Sequence, residues 1–392
     1  FNINTYNRDG SITYSIQDYK KSFEKTFGES VRSQLMSDVK LGCQLSGGVD
    51  STLVTMFANK HSDKGRLESV SIVLEDERFS EEKFINTVTE KLGIVTHKFL
   101  LDSNYYLENF EKATWHLEFP LNHPNTIGIF KLSQRAKDYV TVLLSGEGAD
   151  EVFGGYDRFY DVIFPFRARK ILAEIVANKQ NIKGMMDYFN WESRAIMANS
   201  YMHPLLAERL RSGFSFDDAL VKRKSLYQSL TGSLFDRQVK YEMISYLPDL
   251  LIRQDKMSMA HSIENRVPFL DNEVVKQSFS IPENFLLNRK IREGYNNQKY
   301  LLKEMVADSF GRDFAFRSKM GFGIPLRGFF NEPKFSQYLN EKVLPGIKNR
   351  GLFNHRIASD WISDTGRISY KEMEALWVII SFEIWASIFL NP

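Results

Sequence analysis

Cysteine is almost missing from this chain: there is one, Cys43, in 392 residues. An internal disulfide framework is therefore excluded, and a reducing compartment such as the cytoplasm is expected. An excess of either charge is missing too, since 51 basic residues oppose 49 acidic ones for a net charge of +2. That balance gives no electrostatic steer toward nucleic acid or an anionic membrane. The short basic cluster of Arg167, Arg169 and Lys170 reads as a solvated face. No apolar run reaches the roughly twenty residues of a bilayer span. The most apolar stretch, Ala375 to Leu390, carries Glu383 in its middle and reads as a buried carboxy-terminal helix. The amino end, FNINTYNRDG, lacks the basic and apolar segments of a signal peptide. The seven histidines show no pairing at metal-ligand spacing, so His261 reads as structural. A Pro/Gly/Ser-rich linker, a run of like charge and an internal repeat are missing as well, so the parts of the chain are expected to pack together closely.

What is present is an ordinary globular composition, 43% hydrophobic and 26% charged, long enough for a large core. SIQD, Ser15 to Asp18, offers an N-cap with an acid three residues on, and Ile16, Tyr19, Phe23, Phe27 and Val31 follow at near-helical spacing. VKLGCQL then predicts a strand, DSTLVTMFANKH a helix, LESVSIVL a second strand, and SEEKFINTVTEKLG a helix that ends at Gly93. VTHKFLL predicts a third strand, and helical patterning over about 126–137 leads to a fourth, VTVLLS, Val140 to Ser145. Cys43 falls inside the first strand and reads as an inert buried thiol. Strands separated by helices imply an α/β fold, a parallel twisted sheet with helices on both faces and ligands beyond the carboxyl ends of the strands. From about Val162 the patterning is mainly helical and predicts a carboxy-terminal α-helical lobe. The expected division is an extension over 1–14, the α/β portion over 15–160 and the helical lobe over 161–392.

LSGGVDST, Leu45 to Thr52, follows the first strand and opens the next helix. Gly47 and Gly48 allow consecutive N–H groups to turn toward an anion, and the helix adds its positive end. Ser46, Ser51 and Thr52 supply hydroxyl donors. This is not a Walker A loop, because no lysine stands where G-x-x-x-x-G-K-[ST] requires one. Asp50 would repel phosphate unless a hard cation lay between them, so phosphate bound together with Mg²⁺ is the reading. A tight strand-to-helix turn is the bland alternative for the SGG triplet taken alone.

The whole of SGGVDST resembles the pyrophosphate loop of the ATP-pyrophosphatase (PP-loop) superfamily, with its adenine nucleotide alpha hydrolase-like fold. LLSGEGADEVFGGYDRF, Leu143 to Phe159, resembles the signature of the glutamine-dependent asparagine synthetase family. RQDKMSMAHSIENRVPFLD, Arg253 to Asp271, and RSKMGFGIP, Arg317 to Pro325, are similar to its next two blocks. The resemblance extends from about Ser15 to the end of the chain. It implies an ATP-binding α/β portion and an amide-forming ligase. In the family reaction a carboxylate attacks the α-phosphate of ATP, pyrophosphate leaves, and ammonia displaces AMP from the acyl-adenylate.

By that resemblance Ser46, Gly47, Gly48 and Ser51 match the pyrophosphate cradle, and Asp50 and Asp150 match the Mg²⁺ carboxylates. Leu45, Ile72 and Gly146 match positions around adenine and ribose, with core packing the alternative for Leu45 and Ile72. Lys319 carries over to the lysine that offsets charge on the transferred phosphate. Glu147 stands where related β-lactam-forming enzymes carry tyrosine, and in the amide-forming branch that glutamate handles the incoming ammonia and its proton. Plain helix capping is the alternative for Asp150 and for Glu147. Arg253 aligns with a family arginine near the substrate pocket, where a guanidinium can clamp a carboxylate. Asp249 aligns with a nearby family acid only across a gap.

The expected cofactors are ATP and Mg²⁺, and the expected partners a small carboxylic acid, L-aspartate by default, and ammonia. The family's other half is a glutaminase whose nucleophile is an amino-terminal cysteine, and this chain begins at Phe1. Excision of the synthetase half from a longer protein is therefore expected, with ammonia otherwise coming from solution or a partner. A homodimer agrees with the resemblance; nucleic acid and membrane are not expected partners. Two alternatives stand beside this reading: the same chemistry on another carboxylate, such as a uronic-acid sugar, a peptide or another small acid, and an inactive nucleotide-binding scaffold.

Overall fold

Ser15 opens the first helix, α1 (Ile16–Gln34), with the reciprocal cap that its spacing predicts. Its hydroxyl accepts from the Asp18 amide at 3.3 Å, and the Asp18 carboxylate accepts from the Ser15 amide at 2.9 Å. In the computed structural model the described residues are 2–8, 14–62, 67–163, 191–197, 200–202, 204–211, 213–288, 297–318 and 323–390. They form two compact units interleaved along the chain: residues 1–100, 131–163 and 228–322 make the first, and 101–130, 164–227 and 323–392 the second.

The first unit contains the sheet. Strand β1 (Leu41–Gln44) leads through the glycine loop into α2 (Val49–His61), then come β2 (Glu68–Val73), α3 (Glu82–Leu92) and β3 (Val95–Leu100). Gly93 closes α3 in the left-handed conformation, φ +63°. The chain returns to the sheet as β4 (Val142–Leu144) and once more as β5 (Glu264–Arg266). All neighbours pair in parallel, in the order β3-β2-β1-β4-β5.

The fifth strand is a departure from the sequence reading, which ended the sheet at four and expected helix beyond. Its three residues, ENR, are polar and carry no apolar alternation. The strand exists because β4 presents an open edge: the Glu264 amide donates to Thr141 O and the Ser145 amide to Arg266 O, each at 2.9 Å. One core cluster, Val70, Phe99, Leu132, Ala136, Val140, Leu143 and Ile263, packs on the sheet with Ile72 against it. Phe23, Phe27, Phe153 and Phe269 form an aromatic cluster with ring centroids 4.5 to 5.9 Å apart. It fastens α1 to the segments around the second glycine motif.

The described residues of the second unit are helical. The apolar stretch near the carboxy terminus is the helix Tyr370–Phe389, capped by Ser369 and Glu372. Trp377 is fully buried and its indole donates to Leu121 O at 3.1 Å, while Glu383 is ion-paired with Arg350 at 3.0 Å. A carboxylate in the middle of an apolar helix is thus accommodated by a half-buried arginine. No helix among the described residues is long and apolar enough to cross a membrane.

Candidate active site

The order of the sheet locates the site. β1 has β2 on one side and β4 on the other, so the chain reverses its direction of winding between β1 and β4. Crevices for ligands open beyond the carboxyl ends of strands at such a point. LSGGVDST follows β1 and SGEGADE follows β4, so both glycine motifs stand at the carboxyl ends of the two strands that flank this point.

The first loop is internally braced. The Ser46 amide donates to Ser51 Oγ at 3.1 Å, the two hydroxyls lie 2.9 Å apart, and Ser51 Oγ donates to Gly48 O at 3.2 Å. Gly47 has φ +76°, and a Cβ there would meet the Ile85 amide and Phe84 Cβ at 3.0 Å. Only glycine fits, so the turn that aims the N–H groups beyond β1 is set by the packing of α3. Leu45 is buried, its amide donating to Val70 O, and Ile72 is half-buried on the core. The structure therefore places the side chains of both in packing contacts. Cys43 is buried in β1, and burial pushes its thiol up to about 12, so it is inert as a nucleophile.

The second loop lies against the first. A Cβ on Gly146 would come within 2.9 Å of Asp50 Cβ and the Ser51 amide, and one on Gly155 would strike Asp150 Oδ1. This close approach brings Asp50 and Asp150 to a common point. The ammonium of Lys299 lies 2.5 Å from Asp50 Oδ2 and 2.6 Å from Asp150 Oδ1. Asp50 Oδ1 is buried with no hydrogen-bond partner among the described residues. Two converging carboxylates with an unsatisfied buried oxygen suit Mg²⁺, which commonly takes one or two carboxylates plus substrate phosphates. Among the described residues no group of three or more His, Cys, Asp or Glu side chains gathers as a self-sufficient metal cluster.

Glu147 is half-buried and faces the buried Arg253, with Oε1 3.7 Å from Nη2. Arg253 belongs to the helix Leu247–Met259, and Asp249 stands one turn earlier on the same face. Glu147 and Arg253, each singled out separately in the sequence, are thus brought together. Glu151, next to Asp150, is fully buried: desolvation first, then the Asp150 charge, raises its carboxyl well above the usual range, against the hydrogen bond donated by Tyr156.

Lys319 lies outside the described residues. Two positions before it, Arg317 donates to Gly47 O at 3.1 Å and to Glu81 Oε1 at 2.7 Å, with its guanidinium 3.7 Å from the Phe84 ring centre. Arg317 therefore clamps the glycine loop to the start of α3. Arg317→Met is expected to raise KM for MgATP by roughly tenfold, the scale of one charge-assisted hydrogen bond, with an unchanged circular dichroism spectrum. An unaltered KM would separate Arg317 from the loop's function.

Lys299 and Arg317 are the residues that sequence reasoning missed. Arg317 stands inside the quoted block RSKMGFGIP and was readable as part of it. Lys299, in NNQKYLLKE, has no glycine or motif beside it and is one of 51 basic residues.

Residues 22–387 match the family model for asparagine synthase. Asparagine synthetase [glutamine-hydrolyzing] 1 of Bacillus subtilis is 28% identical, over 92% of this chain and 58% of its own length. Putative asparagine synthetase [glutamine-hydrolyzing] of Mycobacterium tuberculosis is 26% identical, over 93% of this chain and 57% of its own. Amidase chry2 of Gibberella zeae is 22% identical, over 90% and 59%. The chain spans less than two thirds of each of these relatives.

Proposed function

Because the chain belongs to the asparagine synthase family, we propose that it is an ATP-dependent carbon–nitrogen ligase that converts L-aspartate and ammonia to L-asparagine. The observation that supports this most is the convergence of a glycine loop, two carboxylates sharing one cation and the Glu147–Arg253 pair.

In this reading the amides of Gly47 and Gly48, the hydroxyls of Ser46 and Ser51 and the amino end of α2 hold the polyphosphate. Leu45, Ile72 and the backbone of Gly146 border the nucleoside. Mg²⁺ bound by Asp50 and Asp150 would supply charge neutralisation on the phosphate oxygens. Arg253 orients the acid, with Asp249 beside it. The substrate carboxylate oxygen forms a bond to the α-phosphorus as the bond to the pyrophosphate oxygen breaks, and Lys319 offsets charge on the transferred phosphate. Ammonia then attacks the acyl carbon, Glu147 takes the proton from the nitrogen as it becomes cationic, and AMP leaves with the electron pair of the acyl–oxygen bond. Ammonia comes from solution or from a glutaminase, the activity that the names of the bacterial relatives include.

A second reading keeps this chemistry and changes the acid. It draws support from the Gibberella zeae relative, which carries the name amidase rather than asparagine synthetase.

Pyrophosphate release from MgATP with ammonium chloride, measured for L-aspartate against a panel of carboxylic acids, tests both. Aspartate-dependent release with equal asparagine and AMP is the expected result. Release with a different acid alone would transfer the function to that acid. No release with any acid, despite nucleotide binding, would favour an inactive scaffold or a missing partner.

A further inference from the structure

We infer that Lys299 is a built-in countercharge of the cation site, which competes with the divalent cation for Asp50 and Asp150. The inference rests on the reading of these two aspartates as cation ligands.

The geometry sets the two cations against each other at Asp50 Oδ2 and Asp150 Oδ1. Lys299 Nζ is 2.5 Å from Asp50 Oδ2 and 2.6 Å from Asp150 Oδ1. A divalent cation held by the same two oxygens would need the volume that the ammonium fills. One positive charge against two carboxylates leaves a net negative site, so a doubly charged ion is the stronger occupant.

The backbone shows that the lysine is held there deliberately. Lys299 has φ +50°, one of three non-glycine residues with positive φ among those described. Such a conformation is costly for a residue with a Cβ and persists where surrounding structure imposes it. Here Gln298, just before it, donates to Asp157 Oδ1 at 2.8 Å, and the helix Tyr300–Phe310 starts just after it. The strained residue directs a long side chain into a buried place, and 4% of it is exposed. Its four-carbon stem rotates without backbone movement, so the ammonium can leave the carboxylates when a stronger cation takes them.

Mn²⁺ binding without nucleotide, read by electron paramagnetic resonance, tests the competition in the full chain. Lys299→Gln is expected to bind Mn²⁺ at least about tenfold more tightly than the unaltered protein, because a competing charge is removed. Lys299→Arg, which keeps the charge, is expected to show no such gain. Unchanged affinity in Lys299→Gln would overturn the inference. Asp50→Asn separates the two failures: if it abolishes Mn²⁺ binding while Lys299→Gln has no effect, the cation site stands and the competition falls. If Asp50→Asn leaves binding intact, the cation-site reading itself falls. Should the Gln variant not fold, the Lys299 ¹⁵Nζ resonance, assigned by its loss in Lys299→Arg, is expected to shift when Mg²⁺ is added to the unaltered protein. A resonance that stays in place at saturating Mg²⁺ would equally overturn the inference.

Discussion

Asp50→Asn is expected to lower kcat for aspartate-dependent pyrophosphate release by about 10²–10³-fold, since charge stabilisation at a metal-assisted phosphoryl centre contributes several kcal/mol. Two effects act together. The substitution removes one of the two carboxylates that meet at Lys299, and it leaves the buried ammonium with Asp150 alone. Asp50 also occupies the first turn of α2, where Gly146 packs against its Cβ, so the isosteric amide keeps the shape while removing the charge. Asp150→Asn is expected to cost a similar amount, and the double variant little more than either single one, because the carboxylates act as a unit. A loss smaller than tenfold in either single variant would take that residue out of the cation site.

Glu147→Gln is expected to separate the two halves of the reaction. Amide formation should fall by about 10²–10⁴-fold, the usual contribution of a positioned general base. Aspartate-dependent exchange of labelled pyrophosphate into ATP should persist, because adenylation precedes the proton transfer assigned to this carboxylate. The amide keeps the volume beside Arg253, which lies 3.7 Å from Glu147 in a buried setting. If exchange disappears along with amide formation, Glu147 acts in the first half-reaction, or through the orientation of Arg253, and its assignment to ammonia is wrong.

The parts of the fold and site that were legible in the sequence share one property: their signal lies within a few consecutive residues. Ser15 and Asp18 announce a capping box because the partners are three residues apart. The four apolar strands and Gly93 at the end of α3 are local in the same sense. SGGVDST announces a tight turn between strand and helix because the two glycines and the following helix are contiguous. β5 was not legible, because ENR forms a strand only where the edge of β4 offers it hydrogen bonds. Lys299 was not legible for a stronger reason: it is 249 positions from Asp50 in the chain, and no pattern around it marks a special lysine.

Residue types and spacing alone were enough to establish the class of fold, the order of its first elements and the places of the two glycine motifs after their strands. Short-range sterics and hydrogen bonding dictate those features, and they repeat wherever the same residues are adjacent. Placing β4 against β1, and hence Gly146 against Asp50, depends on burial of apolar surface from distant segments. The same long-range packing brings Lys299 between the two aspartates and Arg317 onto Gly47. Such contacts are selected by the free energy of the whole core, so which cation faces which carboxylate emerges only once the chain has folded.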